Sequence, residues 1–443
     1  MTEQRQEAGG AVQPVTADLV IRNIGELVTM RGVDHAVVAP GEEDLGIVRR
    51  GEVAVKDRKI LYVGPKDGTS YAIGSQTMII DAENKVVCPG FVDSHTHAIF
   101  AGTREDEFLM RLQGKSYAEI QAAGGGIVKT VRATRMASEE KLQDILRRNI
   151  FKFSRYGSTT AEIKSGYGLN TEEEIKLLRV IKEVALETDI LIVPTLLGAH
   201  VVPPEFASRR RKYVDLVAKD MVPMVHENHL AVFVDVFVDA GAFTPEEGRE
   251  ILRAAQDLEM PRKLHADQLG EGQGAELAAE MGCISADHCE YTTEHGMKAM
   301  AKAGVIATLL PGSTLSMGQK RFADARAFID HGVPVALATD YNPGTCMCPN
   351  MLLIMALGSL HMRMTPEEVL TAATINGAAA VGRAGETGSL GAGKDADLLV
   401  LDIDTYRELP YRFGENFVRY VVAGGGVIKA PKVFKKKYFR DEE

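Results

Sequence analysis

The stretch Val86-Val87-Cys88-Pro89-Gly90-Phe91-Val92-Asp93-Ser94-His95-Thr96-His97 decides how this chain folds. A short, nearly continuous apolar run suits a strand buried on both faces, as in a parallel sheet. Two histidines follow it, two positions apart. In extended backbone such residues face the same side, so both imidazoles can reach one ion. Working outward means asking which other residues converge on that point.

Downstream, short apolar runs alternate with helical patterns, the signature of βα units. Strands are predicted at residues 86–93, 158–164, 190–197, 231–238, 263–266, 284–287, 304–310 and 334–339. That makes eight, the number that closes an α/β barrel of the (β/α)8, TIM-like kind. No glycine-rich phosphate loop follows the first strand, which argues against an open doubly wound sheet. Capping-box spacing marks helix starts at Thr171/Glu174, Thr244/Glu247 and Thr365/Glu368. Pro245 and Pro366 take first helical positions, where a missing N–H costs nothing.

The flanks read differently. Residues 17–86 carry short alternating or β-branched runs, with a hairpin turn at 56–59. β patterns return at 388–402 and 418–428. The expected plan is a disordered arm at 1–16, part of a small β-sandwich domain at 17–86, the barrel at 87–385, and the rest of the sandwich with a tail at 386–443. Lys435, Lys436 and Lys437 in that tail read as a solvated run.

Composition sets limits. Of 443 residues, 45% are hydrophobic and 25% charged, the balance of an ordinary globular protein. A net charge of −10 argues against nucleic acid as a partner. No apolar run spans a membrane and no signal peptide opens the chain, so a cytoplasmic protein is expected. Five cysteines, an odd number without framework spacing, suit a reducing compartment. Cys346 and Cys348 read as incidental thiols.

Barrel enzymes place their chemistry at the C-terminal ends of strands. Metal-capable residues stand there in number. His95 and His97 end the first predicted strand, His265 the fifth, His288 the sixth and Asp340 the eighth. Neutral imidazoles with a carboxylate suit zinc or iron. Any one strand-end histidine is ordinary; several on one barrel rim point to a metal-dependent hydrolase. His35, His226, His229, His295, His331 and His361 fall in helices or loops and read as structural or solvated.

This arrangement resembles the amidohydrolase superfamily over nearly the whole chain. Residues 94–102, 124–127 and 164–169, then Gly198-Ala199-His200, His265-Ala266-Asp267-Gln268 and Asp340-Tyr341-Asn342-Pro343-Gly344, resemble the imidazolonepropionase family within it. The resemblance implies hydrolysis of the ring amide C–N bond of 4-imidazolone-5-propanoate to N-formimino-L-glutamate, in histidine degradation. It implies one divalent or ferric ion, zinc or iron, on His95, His97, His265 and Asp340, with Asp340 and His288 moving protons. It implies substrate contacts from Arg104, Tyr117, Tyr167, His200, Gln268, Asn342, Gly344 and Thr345, and a homodimer. The residue reading alone leaves Arg104 an alternative, an ion pair with Glu105, Asp106 or Glu107.

Gln268 also bears on catalysis. Many superfamily deaminases have a glutamate there, and an amide orients a substrate without shuttling a proton. Two alternatives stay open: another cyclic amidase or deaminase of the superfamily, and an inactive barrel scaffold. The fourth predicted strand end lacks the lysine that bridges two metals in dihydroorotase-like members, so a single ion is expected.

Overall fold

The computed structural model describes residues 14–430, apart from 69, 116–118 and 121–122. Two sheets organise them. The N-terminal segment supplies β1 (Val15–Leu27), β2 (Val48–Lys56), β3 (Lys59–Pro65), β4 (Tyr71–Asp81) and β5 (Val86–Pro89). Then come β6 (Phe91–Asp93), β7 (Ser158–Lys164), β8 (Leu191–Ala199), β9 (Phe233–Val238), β10 (Arg262–Ala266), β11 (Ser285–His288), β12 (Ile306–Leu309) and β13 (Val335–Leu337). These eight form one sheet in chain order, every pair parallel. Helices fill the connections between them, as βα units require.

The barrel closes between β6 and β13, and the closure lies just beyond both strands. Asp340 donates its N–H to the His95 carbonyl at 3.1 Å, and His97 donates to the Tyr341 carbonyl at 3.0 Å. Asp93, wholly buried, accepts from the Thr339 N–H at 2.9 Å and its hydroxyl at 2.6 Å. The joining contacts therefore involve the very residues expected to hold a metal.

The predicted first strand divides. Val86–Pro89 pairs with β1 and with β14 (Leu398–Leu401), in the second sheet, and only Phe91–Asp93 enters the barrel. Gly90 is the crossing point; a Cβ there would stand 2.1 Å from Thr159 Oγ1. An unbroken apolar run conceals this because both halves are buried. The second sheet is mixed, in the order β16-β15-β14-β5-β1-β2-β3 with β4 on β1, where β15 is Val418–Ala423 and β16 is Gly426–Lys429. Chain ends thus build one sheet together. Its β1 starts at Val15, inside the arm expected at 1–16. Asp57 and Arg58, both at positive φ, make the tight turn of the β2–β3 hairpin.

One apolar cluster joins the units. It runs from barrel residues such as Ile163 and Leu264 through Phe153 to Leu399 and Val421 of the second sheet and to Val28 just past β1. Two helix starts carry the expected capping boxes, at Thr244/Glu247 and Thr365/Glu368. The third does not. Asn170 caps that helix, and Glu174 turns inward to accept from the N–H groups of Gly166, Gly168 and Leu169 at 2.7–2.9 Å. Glu174 thereby fixes the loop after β7.

Asp93→Ala strands two buried Thr339 donors at the barrel seam. Each unpaired donor costs about 1–3 kcal/mol, so unfolding stability should drop by about 2–5 kcal/mol. Urea unfolding of the variant against the parent chain measures the loss; no loss would mean the seam does not depend on Asp93.

Candidate metal centre and substrate pocket

The strand ends bring four ligand candidates to one point. His95, His97, His265 and Asp340 are each 3% exposed or less. The Nε2 atoms of His95 and His97 stand 3.3 Å apart, as do those of His265 and His97. Asp340 Oδ1 lies 3.7 Å from His95 Nε2 and 3.6 Å from His97 Nε2. Two nitrogens each about 2.05 Å from a tetrahedral ion sit about 3.3 Å apart, so the observed spacing matches a shared zinc-type ligand. Burial holds the three imidazoles well below their ordinary pKa, in the neutral form that binds metal. This donor set fits a divalent metal.

Backbone strain marks the same rim. His288, Cys289 and Asp340 all take positive φ, at 80°, 65° and 50°. Left-handed non-glycine residues concentrate where function over-determines the chain. His288 joins the cluster, its ligand nitrogen within 4.8 Å of those of His95 and His265. Its Nδ1 faces Glu290 Oε2 at 3.8 Å. Burial opposes its charged form, but Glu290, Asp340 and Asp287 outweigh burial and raise its pKa. Burial pushes Asp340 up to about 6.

Asn342 and Thr345 serve Asp340 directly. The Asn342 amide donates to Asp340 Oδ1 at 3.0 Å and to Thr345 Oγ1 at 2.6 Å. Its Oδ1 accepts from the Gly344 and Thr345 N–H groups at 2.8 Å, closing the turn. Gln268 is buried, its backbone held by Asp239 at 2.7 Å.

Two rings line the opposite wall. His200 stacks on His97 with centroids 5.1 Å apart, and Tyr167 lies 5.7 Å from His200. His200 Nδ1 lies 3.0 Å from the Gly166 carbonyl, so Nδ1 carries the proton and donates it. Burial lowers its pKa to about 4, which leaves a neutral ring with a lone pair on Nε2.

Arg104 forms the ion pair that its sequence neighbours offered. Its Nε and Nη2 reach Glu107 Oε2 at 2.8 and 2.7 Å. Its Nη1 still faces the turn after Asp340, and a Cβ on Gly344 would come within 2.1 Å of it. Arg111, which sequence reasoning passed over, donates from Nη1 to the Gly344 carbonyl at 3.1 Å, and its buried Nε has no partner among the described residues. Two guanidiniums therefore face the same turn, Arg104 paired with Glu107 and Arg111 beside them both. Tyr117 and Lys435–Lys437 lie outside the described residues.

Sequence reasoning also missed the layer beneath the ligands. His95 Nδ1 lies 2.6 Å from Asp287 Oδ2. Asp235 Oδ2 stands 3.0 Å from His265 Nδ1, close but out of hydrogen-bond alignment. The available signal was polar residues two apart within apolar strands: Glu162 with Lys164, Lys263 with His265, Ser285 with Asp287.

A barrel with imidazoles and a carboxylate converging at its strand ends is the architecture of a metal-dependent hydrolase. The model of the Amidohydrolase family matches residues 86–428. An imidazolonepropionase from Alkaliphilus metalliredigens is 45% identical, covering 93% of this chain and 98% of its own. One from Geobacillus kaustophilus is also 45% identical, covering 93% and 97%. Among solved structures, an adenosine deaminase from Xanthomonas campestris with bound zinc superimposes with a TM-score of 0.71 at 19% identity, covering 94% of each chain. A 5-methylcytosine deaminase from Klebsiella pneumoniae gives 0.69 at 16% identity, covering 96% and 99%; both show the fold. The chain belongs to the amidohydrolase family and, within it, groups with the imidazolonepropionases.

Stripping metal with a chelator should destabilise the folded chain. Zinc at 100 times its dissociation constant should restore about 2.7 kcal/mol, by mass action. Calorimetry should show one equivalent per chain; binding that leaves the melting temperature unmoved would rule out this centre.

Proposed function

We propose that this chain hydrolyses the ring amide C–N bond of 4-imidazolone-5-propanoate, giving N-formimino-L-glutamate in histidine degradation. The observation that carries the reading is the juxtaposition of His95, His97, His265 and Asp340 with two arginines gathered at the Gly344 turn. The substrate has a hydrolysable ring amide and one carboxylate, and matches both. The names of the relatives at 45% identity support the same substrate.

His95, His97, His265 and Asp340 would hold one ion, zinc or iron, since imidazole and carboxylate ligands suit both. When bound there, such an ion would make available water activated near neutral pH and Lewis-acid polarisation of the ring carbonyl. Asp340, buried at the seam beside Asn342 and Thr345, accepts a proton from the attacking water and passes it to the departing ring nitrogen. Water adds at the carbonyl carbon, the C–N bond breaks, and the new carboxylate and the amidine together hold all the atoms. His288 stabilises the developing oxyanion or positions the water. His200 Nε2 accepts a hydrogen bond from a ring N–H, and Gln268 and Tyr167 orient the ring. Arg104 and Arg111 grip the propionate, with Asn342, Gly344 and Thr345 shaping that wall. Five free cysteines suit a cytoplasmic enzyme, and no described helix is long and apolar enough to cross a membrane. We propose a homodimer, which sedimentation would verify.

The direct test follows loss of imidazolone absorbance with freshly generated substrate and identifies the product. Absence of ring opening overturns the substrate while leaving the metal centre standing. Asp340→Asn should lose about 10²–10⁴-fold in kcat beyond what its metal content explains. Arg104→Met and Arg111→Met should each raise KM about 10–100-fold with a smaller change in kcat, the worth of one hydrogen bond to a charged group. Unchanged KM in both would remove the arginines from substrate binding.

A further inference from the structure

Below the ligands, the barrel interior holds five ionisable side chains with no solvent contact: Glu162, Lys164, Asp235, Lys263 and Asp287. Lys164 Nζ lies 2.6 Å from Asp235 Oδ2, 2.9 Å from Glu162 Oε2 and 3.5 Å from Asp287 Oδ2. Lys263 Nζ lies 2.9 Å from Glu162 Oε2, 2.9 Å from the Ser94 carbonyl and 3.6 Å from Asp287 Oδ2. Thr195 and Ser285 donate to Glu162 and Asp287, both at 2.6 Å. Nothing in the hydrolysis itself uses the lysines.

Charge balance gives them a purpose. Asp287 and Asp235 face the Nδ1 atoms of two metal-binding histidines. Two such carboxylates, with Glu162 beside them, would repel one another in a dry interior. Together the five groups carry two positive and three negative charges, a net of −1. The ligand atoms of His95, Glu162 and Asp287 lie within 4.8 Å of one another, close enough to attract a cation. The ammonium groups of Lys164 and Lys263 already stand against Glu162 and Asp287.

We propose that Lys164 and Lys263 are positioning residues for the metal centre: fixed internal cations that hold Asp235 and Asp287 against the ligand histidines and keep the centre single-metal. The inference rests on His95 and His265 being metal ligands, and it is independent of the substrate. The lysines touch neither substrate nor reacting atoms. They act through Asp287, which meets His95 Nδ1 at 2.6 Å, and through Asp235, which stands beside His265 Nδ1 at 3.0 Å; such outer carboxylates set the orientation and basicity of ligand imidazoles.

The test measures metal binding on the full chain, by chelator competition with zinc and by the visible spectrum of the cobalt-substituted form. Lys164→Met and Lys263→Met should each weaken zinc binding about 10–100-fold, the usual cost of losing an outer partner of a metal ligand. The cobalt spectrum should shift as the imidazoles reorient. Lys164→Met alone leaves uncompensated buried negative charge, so a second variant keeps folding and metal binding separable. Lys164→Met with Glu162→Gln restores the net of −1 while keeping both aspartates; it should fold and still bind zinc weakly. Parental zinc affinity and an unshifted spectrum in the folded variants would overturn the proposal and leave the lysines a purely structural role. If the parent chain itself fails to bind one equivalent, the centre fails first, so the two failures are distinguishable.

Discussion

The constraint on which the structure depends is the closure of the barrel between its first and last strands. Most of the wall needs no special device, because neighbouring strands pair along their length. The final joint is different, for β6 and β13 are three residues each. It is made by Asp340 on the His95 carbonyl, His97 on the Tyr341 carbonyl, and Asp93 on Thr339. Closing the wall and assembling the candidate metal ligands are one event. His95, His97 and Asp340 cannot drift apart without opening the seam, which is the preorganisation a metal centre requires.

The same closure creates an electrostatic problem. A closed barrel is a packed core, and its inward positions are normally branched apolar residues. Here they include three carboxylates and two ammonium groups with no exposure. Burial alone would drive such groups neutral. Burial does oppose charge on Lys164, yet Asp235, Glu162 and Asp287 outweigh it and raise its pKa. Burial likewise opposes charge on Asp287, and Lys263 and Lys164 outweigh it and lower its pKa. Asp235 goes the other way: burial outweighs Lys164 and raises its pKa. Lys164 and Asp287 are held charged because opposite charges were gathered around them. Isolated, any one of them would cost several kcal/mol of desolvation.

Much of this was legible in the sequence, and the failures have physical reasons. Ser158–Lys164 was read with its true limits, because flanking turns and β-branched residues mark it. The ligand residues stood out because histidine and aspartate at a strand end break an apolar pattern. The division at Gly90 was hidden, since a strand buried in either sheet looks the same. Glu174 had the right spacing for a capping box, but spacing says nothing about a loop one turn away that needs three N–H groups satisfied. Arg104 posed a choice between an ion pair and a substrate contact. Its Nε and Nη2 meet Glu107 while Nη1 faces Gly344, so the alternatives were never exclusive. Asp235 and Asp287 needed three dimensions, because their partners lie on other strands.

The division of labour between strands and loops follows from the same geometry. His265 sits within a strand, and His95, His97 and Asp340 sit at the seam, where the backbone on both sides is fixed. The arginines lie beyond, Arg104 at the start and Arg111 near the end of the helix Glu105–Leu112, reaching back to the turn at Gly344. A reaction common to many cyclic amides needs the first set held rigidly. On the proposed function, selection of one carboxylate-bearing ring would rest on the second, two guanidiniums held about Glu107 and the Gly344 turn. On the proposed roles, changing Glu107, Arg104 or Arg111 would alter which substrates enter, and changing a ligand would abolish chemistry for all of them. Loops at the mouth of a barrel are free to vary in sequence, while the seam that closes it is not.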